Sequence, residues 1–223
     1  MTKVIIFDTE TTGLPKKRNQ NALHEPNCWP DIVSVSWSVF SNGEKQSQRT
    51  FLIKPENWTI PAESSQIHGI THEHAMNFGV SLRSVMDEFK AELSCDAGTP
   101  VRVVSHNIAF DKNVMFNAWK WRLNEDPDDI WKCDETCTML KSEGELKLRH
   151  PNVRRFKWPS LAELWTDTFK TNPPVHAHSA DRDVSVLEQI CMARWKGSMF
   201  MGTHDLDEHM QSCGLVDLAQ STL

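Results

Sequence analysis

The segment Lys3-Val4-Ile5-Ile6-Phe7-Asp8-Thr9-Glu10-Thr11-Thr12-Gly13-Leu14 holds four consecutive apolar residues, Val4 to Phe7, and then two carboxylates one residue apart. A short unbroken apolar run suits a central strand covered on both faces, whereas a strand with one wet face alternates. Thr11 to Pro15 breaks the run. A side-chain period of two puts Asp8 and Glu10 on one face at the C-terminal end of this strand. Two like charges side by side in a half-buried place repel, and each resists leaving water. Fold stability gains nothing from such a pair. A divalent cation removes the conflict, and Mg²⁺ or Mn²⁺ prefers oxygen ligands of this kind. Two solvated carboxylates at a strand end are the alternative, and this spacing alone does not choose between them.

Outward from that strand, Asp31 to Phe40 alternates Val33, Val35, Trp37 and Val39 with Ser34, Ser36 and Ser38, a strand pattern. Asn42-Gly43 is a hairpin turn, and Gln48 to Ile53 returns as the partner strand. Ser81 to Leu93 carries apolar residues at helical spacing. Val101 to Val104 reads as another buried strand, followed by helices at about Ile108 to Leu123, Ser160 to Phe169 and Ala180 to Lys196. A three-strand meander followed by alternating strands and helices is an α/β layer structure with a mixed sheet. No linker divides the chain, so one domain over residues 1–197 is expected, with 198–223 as a docked or partner-binding tail.

Composition narrows the function classes. The chain has 223 residues, 39% hydrophobic and 24% charged, which is ordinary for a globular protein. No apolar run exceeds four residues, which excludes a membrane-spanning helix, and the N-terminus enters a strand at once, leaving no room for a secretory signal. Six cysteines without a CxxC pair fit reduced thiols in an intracellular setting, cytoplasmic or nuclear. Cys133 and Cys137 could share a helix face, where core packing explains them better than zinc. A net charge of −6 argues against coating nucleic acid by bulk electrostatics, but not against an enzyme that meets phosphate through cations. There is no tyrosine, so any mechanism that requires one is excluded.

Two further acidic elements lie far along the chain. Asp111 follows the fourth strand in Ser-His-Asn-Ile-Ala-Phe-Asp, with Asn107 placed to cap the next helix. A carboxylate there also complements the helix dipole, which explains Asp111 in isolation. In His178-Ser179-Ala180-Asp181-Arg182-Asp183, an N-cap at Ser179 leaves His178 on the approach loop and fixes Asp183 in the helix. A mobile histidine beside a rigid aspartate suits a general base next to a metal ligand, and an exposed loop histidine is the plainer reading.

Taken in order, these elements resemble the DEDDh group of the DnaQ-like 3′–5′ exonucleases. Asp8 and Glu10, with Thr12, Gly13 and Leu14, match the DxExTGL motif. Asp111 with its preceding His-Asn matches the second motif. His178, Ala180 and Asp183 match HxAxxD. Gln66 to Thr71, Cys137 to Met139 and Lys157 to Leu164 are similar to intervening family segments, so the resemblance spans roughly residues 3–195. It implies a ribonuclease H-like three-layer fold with a central mixed five-stranded sheet flanked by helices. It also implies hydrolysis from a free 3′ end that releases nucleoside 5′-monophosphates. Asp8, Glu10 and Asp183 would hold one Mg²⁺ or Mn²⁺, and Asp8 with Asp111 would position a second. His178 would be the general base, with His176 as a rival that lacks the family alanine two positions on. The sister group that uses tyrosine in place of this histidine is excluded.

The resemblance places Thr9, Thr11, Thr12, Gly13, Leu14 and His68 among contacts to the terminal nucleotide, with Asn107 either contacting substrate or shaping the second motif. His72 and His74 read as solvated helix-start residues. Lys141, Lys147, Arg149, Arg154, Arg155 and Lys157 supply local positive charge for a strand, and Trp158 could stack on a base. A solvated basic loop and a buried tryptophan are the plainer readings. Single-stranded DNA is favoured as substrate, with RNA as the alternative. A catalytically inert nucleic-acid-binding or polymerase-docking module, and a homodimer, are the other assemblies the resemblance allows.

Overall fold

β1 (Lys3–Thr11) is the middle strand of a five-stranded sheet, as its apolar run requires. The computed structural model describes residues 2–16, 21–94, 99–150, 154–174 and 178–200. β2 (Ile32–Ser41) and β3 (Glu44–Leu52) continue antiparallel on one side, and β4 (Val101–Ser105) and β5 (Asp134–Cys137) lie parallel on the other, in the order β3-β2-β1-β4-β5. The expected mixed sheet and the Asn42-Gly43 hairpin are both present, with β3 beginning four residues earlier than the apolar pattern suggests.

Helices cover both faces. On one lie α3 (Leu82–Leu93) and α4 (Ile108–Asn117), which follow two short helices, α1 (Ala62–His68) and α2 (His72–Phe78). The short α5 (Pro127–Ile130) and α6 (Thr138–Leu146) flank β5. On the opposite face lie α7 (Leu161–Phe169) and α8 (Ala180–Phe200). Strand parity assigns the side chains. Ile5, Phe7 and Val103 pack with Val85, Phe89, Val114 and Trp119 beneath α3 and α4. Val4, Ile6 and Val104 pack with Leu164, Val184, Leu187 and Ile190 beneath α7 and α8. The first core is aromatic, with Phe7 and Trp37 ring centres 5.5 and 5.3 Å from that of Phe89. The serine face of β2 is buried too, so α8 can lie close against small side chains.

Three local expectations change. The helix predicted over Ile108 to Leu123 turns into a π-helical segment at Ala118–Arg122. The wider turn lets Trp119 enter the core while Trp121 donates to the Ala22 carbonyl at 2.7 Å and Arg122 grips Asp31 at 2.7 and 2.9 Å. Cys133 and Cys137 share no helix: Cys137 ends β5, and both pack against the first core as free thiols. α8 runs past residue 197 with a kink at Trp195, burying Met199 and Phe200, and Arg102 donates to the Ser198 and Met199 carbonyls at 3.0 and 3.2 Å. Residues 201–223, most of the expected tail, lie outside the described residues. Among the described residues no helix is long and apolar enough to cross a membrane.

Candidate active site

β4 accompanies β1 only as far as Ile6 opposite Val104. Beyond that point the end of β1 has β2 on one side and no strand on the other, and its register with β2 shifts between Glu10 and Thr11. Asp8 and Glu10 share the parity of Val4 and Ile6, so they face α8. Asp183 meets them from the first turns of α8, where its N–H donates to the Ser179 carbonyl at 2.9 Å, as a helix start at Ser179 predicts. Ligand-type oxygens of Asp8, Glu10 and Asp183 all lie within 4.8 Å of one another. No helix-dipole or capping role accounts for three carboxylates at that separation.

The electrostatic cost is large. Asp8 keeps some solvent contact, yet burial of its carboxyl raises its pKa well above the ordinary value, and Asp111, Asp183 and Glu10 add to the rise. Burial, then Asp183 and Asp111, push Glu10 up to about 8. A divalent cation among these oxygens would reverse the penalty, and an all-oxygen set of this size fits Mg²⁺ or Mn²⁺.

Asp111 reaches the same strand from the other face. Thr9 has the parity of Ile5 and Phe7 and so faces α4. Its N–H and its hydroxyl both donate to Asp111 Oδ1, at 3.1 and 2.7 Å. The Ser105 hydroxyl at the end of β4 donates to Oδ2 at 2.6 Å. Burial raises the Asp111 carboxyl to about 6, a rise held in check by the Ser105 and Thr9 hydrogen bonds. Thr9, expected among the substrate contacts, therefore spends both donors on a carboxylate. Ser105 is a site residue that the sequence pattern did not point to.

The remaining candidates fall around this centre. Thr11 donates to the Gly13 carbonyl at 2.8 Å, and Thr12 pairs with Asp31 through its N–H and its Oγ1, both at 3.0 Å. Gly13 adopts φ +144°, a backbone conformation that side chains rarely take. Leu14 is 82% exposed. His68 is buried at the end of α1. Its Nδ1 accepts from the Ile70 N–H at 3.1 Å, which leaves the ring hydrogen on Nε2, turned toward the Thr11 carbonyl without forming a full hydrogen bond. Burial lowers its pKa, so the ring is neutral. Asn107 occupies the N-cap position of α4 but makes no side-chain cap, because its backbone is left-handed at φ 70°. His72 accepts from the Ile60 N–H at 3.4 Å, and His74 lies against Phe78. His178 is exposed on the approach to α8, whereas His176 lies outside the described residues.

Arg149 and Phe156 bridge antiparallel, and Lys157 N–H donates to the Leu148 carbonyl at 2.8 Å, so the flanks of the basic segment run side by side. Lys141 lies over the Trp195 ring, and Lys157 pairs with Glu163. Lys147, Arg149, Arg154 and Arg155 are exposed. Trp158 is 58% exposed, contrary to the buried reading. His106 fastens this unit to the second motif: its ring nitrogens lie 3.1 Å from Thr138 Oγ1 and 3.0 Å from the Pro159 carbonyl.

No family model matches the sequence, and no curated protein matches it either. The fold does match solved structures. Exonuclease I of E. coli, in a zinc-bound complex with single-stranded DNA, superposes with a TM-score of 0.63 at 18% identity over 95% of this chain and 43% of the other. The same enzyme with a dT13 oligonucleotide gives 0.64 at 19% identity over 95% and 44%. Exonuclease I from Methylocaldum szegediense gives 0.63 at 18% identity over 90% and 42%. The chain thus has the ribonuclease H-like fold of these structures and spans less than half of their length.

Proposed function

We propose that the chain is a metal-dependent 3′–5′ exonuclease of the DEDDh type, acting on single-stranded DNA. The observation that carries this reading is the convergence of Asp8, Glu10 and Asp183 within 4.8 Å at the C-terminal end of β1. The exonuclease I structures bound to single-stranded oligonucleotides add the substrate class. Asp8, Glu10 and Asp183 would hold one divalent cation, and Asp8 with Asp111 a second. Such a pair supplies Lewis-acid stabilisation of the charge that develops on attacking and leaving oxygens.

The chain's own side chains do the rest. His178, exposed on the approach to α8, takes the proton from the attacking water. Water attacks phosphorus, the bond to the 3′-oxygen breaks, and a nucleoside 5′-monophosphate leaves a strand one residue shorter with a new 3′-hydroxyl. The turn at Gly13 presents backbone to the terminal sugar, exposed Leu14 abuts the last base, and buried His68, its Nε2–H turned toward the Thr11 carbonyl, supports the backbone that leads into that turn. Asn107 shapes the turn before Asp111.

A single-stranded oligonucleotide labelled at its 5′ end tests the reading directly. In Mg²⁺ or Mn²⁺ a ladder shortening from the 3′ end, with free mononucleotides, is expected, and EDTA stops it. Binding without release in either metal would instead mark an inert binding module, and equal degradation of RNA would remove the DNA preference. His178→Gln should lower kcat by about 100-fold or more, with little change in KM. A kcat kept within tenfold would exclude His178 as the base.

The basic flanks and Trp158 are read as a track for the strand behind its 3′ end. Arg154→Glu with Arg155→Glu should raise KM about tenfold for a 15-nucleotide strand and leave a trinucleotide unaffected. An equal effect on both lengths would remove the track.

A further inference from the structure

We propose that Ser105 and Thr9 are positioning residues that hold the Asp111 carboxylate in the orientation that binds a second divalent cation. This deepens the nuclease reading and rests on it. An ionised carboxylate offers about four acceptor sites, two on each oxygen. The N–H and hydroxyl of Thr9 donate to Oδ1 of Asp111, and the Ser105 hydroxyl donates to Oδ2. Donors from two strands thus fix the rotation of the carboxylate and leave it acceptor capacity for a cation.

Among the described residues the Ser105 hydroxyl donates only to Asp111. It is fully buried at the end of β4, on the face of the sheet that packs against α4. A buried hydroxyl stabilises a core only when bonded, and its hydrogen goes to Asp111, so alanine would serve packing equally well. A helix-dipole role for Asp111 does not need it either, because dipole complementation asks for charge near the helix start and not for three donors from two strands. Groups that orient a ligand in this way change metal affinity without touching the metal. In the proposed arrangement Asp8 serves both cations, whereas Glu10 and Asp183 serve only the first and Asp111 only the second, so loosening Asp111 should weaken the second position more than the first.

The test is a Mn²⁺ titration followed by electron paramagnetic resonance in saturating thymidine 5′-monophosphate. The unaltered protein is expected to bind two ions. Ser105→Ala should weaken the second by about tenfold and leave the first within about twofold, while Ser105→Thr, which keeps the hydroxyl, restores the second. Thr9→Val removes one donor from Oδ1 and keeps the N–H, so it should act in the same direction if Ser105→Ala does not fold. Two ions bound as tightly by Ser105→Ala as by the unaltered protein would overturn the positioning role and leave the nuclease reading intact. Equal weakening of both ions, or unfolding of both variants, would also overturn it by making these residues merely structural. No Mn²⁺ bound by the unaltered protein would overturn the nuclease reading itself.

Discussion

Asp8→Asn should abolish nucleotide release, by about a thousandfold or more, and at the same time make the metal-free protein more stable by about 1–4 kcal/mol. The two effects have one origin. Asp8 is the carboxylate that feels all the others: Asp111, Asp183 and Glu10 each oppose its ionisation, on top of its burial. An amide of the same shape removes that repulsion and with it the charge that would hold both cations. Stability gained where activity is lost marks a site whose strain serves the reaction. Urea unfolding in EDTA alongside single-turnover assays reads both quantities. A variant that loses activity and stability together would mean that Asp8 serves the fold. One that keeps activity within tenfold would remove it from the site.

The second large effect is on the pH dependence of stability. Glu10 titrates near 8 in the folded protein, above its ordinary 4.5, and Asp8 is raised as well. A carboxyl whose folded pKa is raised binds its proton more tightly when folded. Its stabilising contribution is therefore complete below about pH 4.5 and is lost as pH rises toward 8. Without divalent ions the melting temperature should fall across that window, by about 5–10 °C for a loss of a few kcal/mol in a chain of this size. Saturating Mg²⁺ should flatten the slope and raise the melting point most at pH 8, since bound cation replaces the proton. Calorimetric scans from pH 5 to 8, in EDTA and in Mg²⁺, give the comparison. A metal-free protein that grows more stable with pH, or a Mg²⁺ effect of equal size at both ends, would contradict the repulsion described for this cluster.

What was legible in the sequence follows from the range of the interactions. Val4 to Phe7 and the alternation of β2 are local patterns, and they suffice for the strands and for the covered central position of β1. The period of two is just as local, and it alone puts Asp8 and Glu10 on one face. The face from which Asp111 arrives was not legible. Its hydrogen bonds to Thr9 cross 102 residues of sequence, and Ser105 looks like any polar residue closing a strand. Asn107 failed as a side-chain cap because a left-handed residue cannot be told from a capping one by type alone. The π-helical turn at Ala118–Arg122 was hidden too: Ala-Trp-Lys-Trp-Arg reads as plain helix, and the bonds of Trp121 to Ala22 and of Arg122 to Asp31 that accompany the wider turn cross 99 and 91 residues of sequence.

The acids that meet at the end of β1 come from positions 8, 10, 111 and 183, on one strand and on helices from opposite sides of the sheet. A chain emerging from the ribosome therefore lacks the assembled carboxylate cluster until α8 has been made and has closed over β1. Under the proposed nuclease reading, cleavage would begin once, late, and as a whole. A fragment ending before residue 183 should release no nucleotides, and proteolytic loss of α8 should end release in a single stroke.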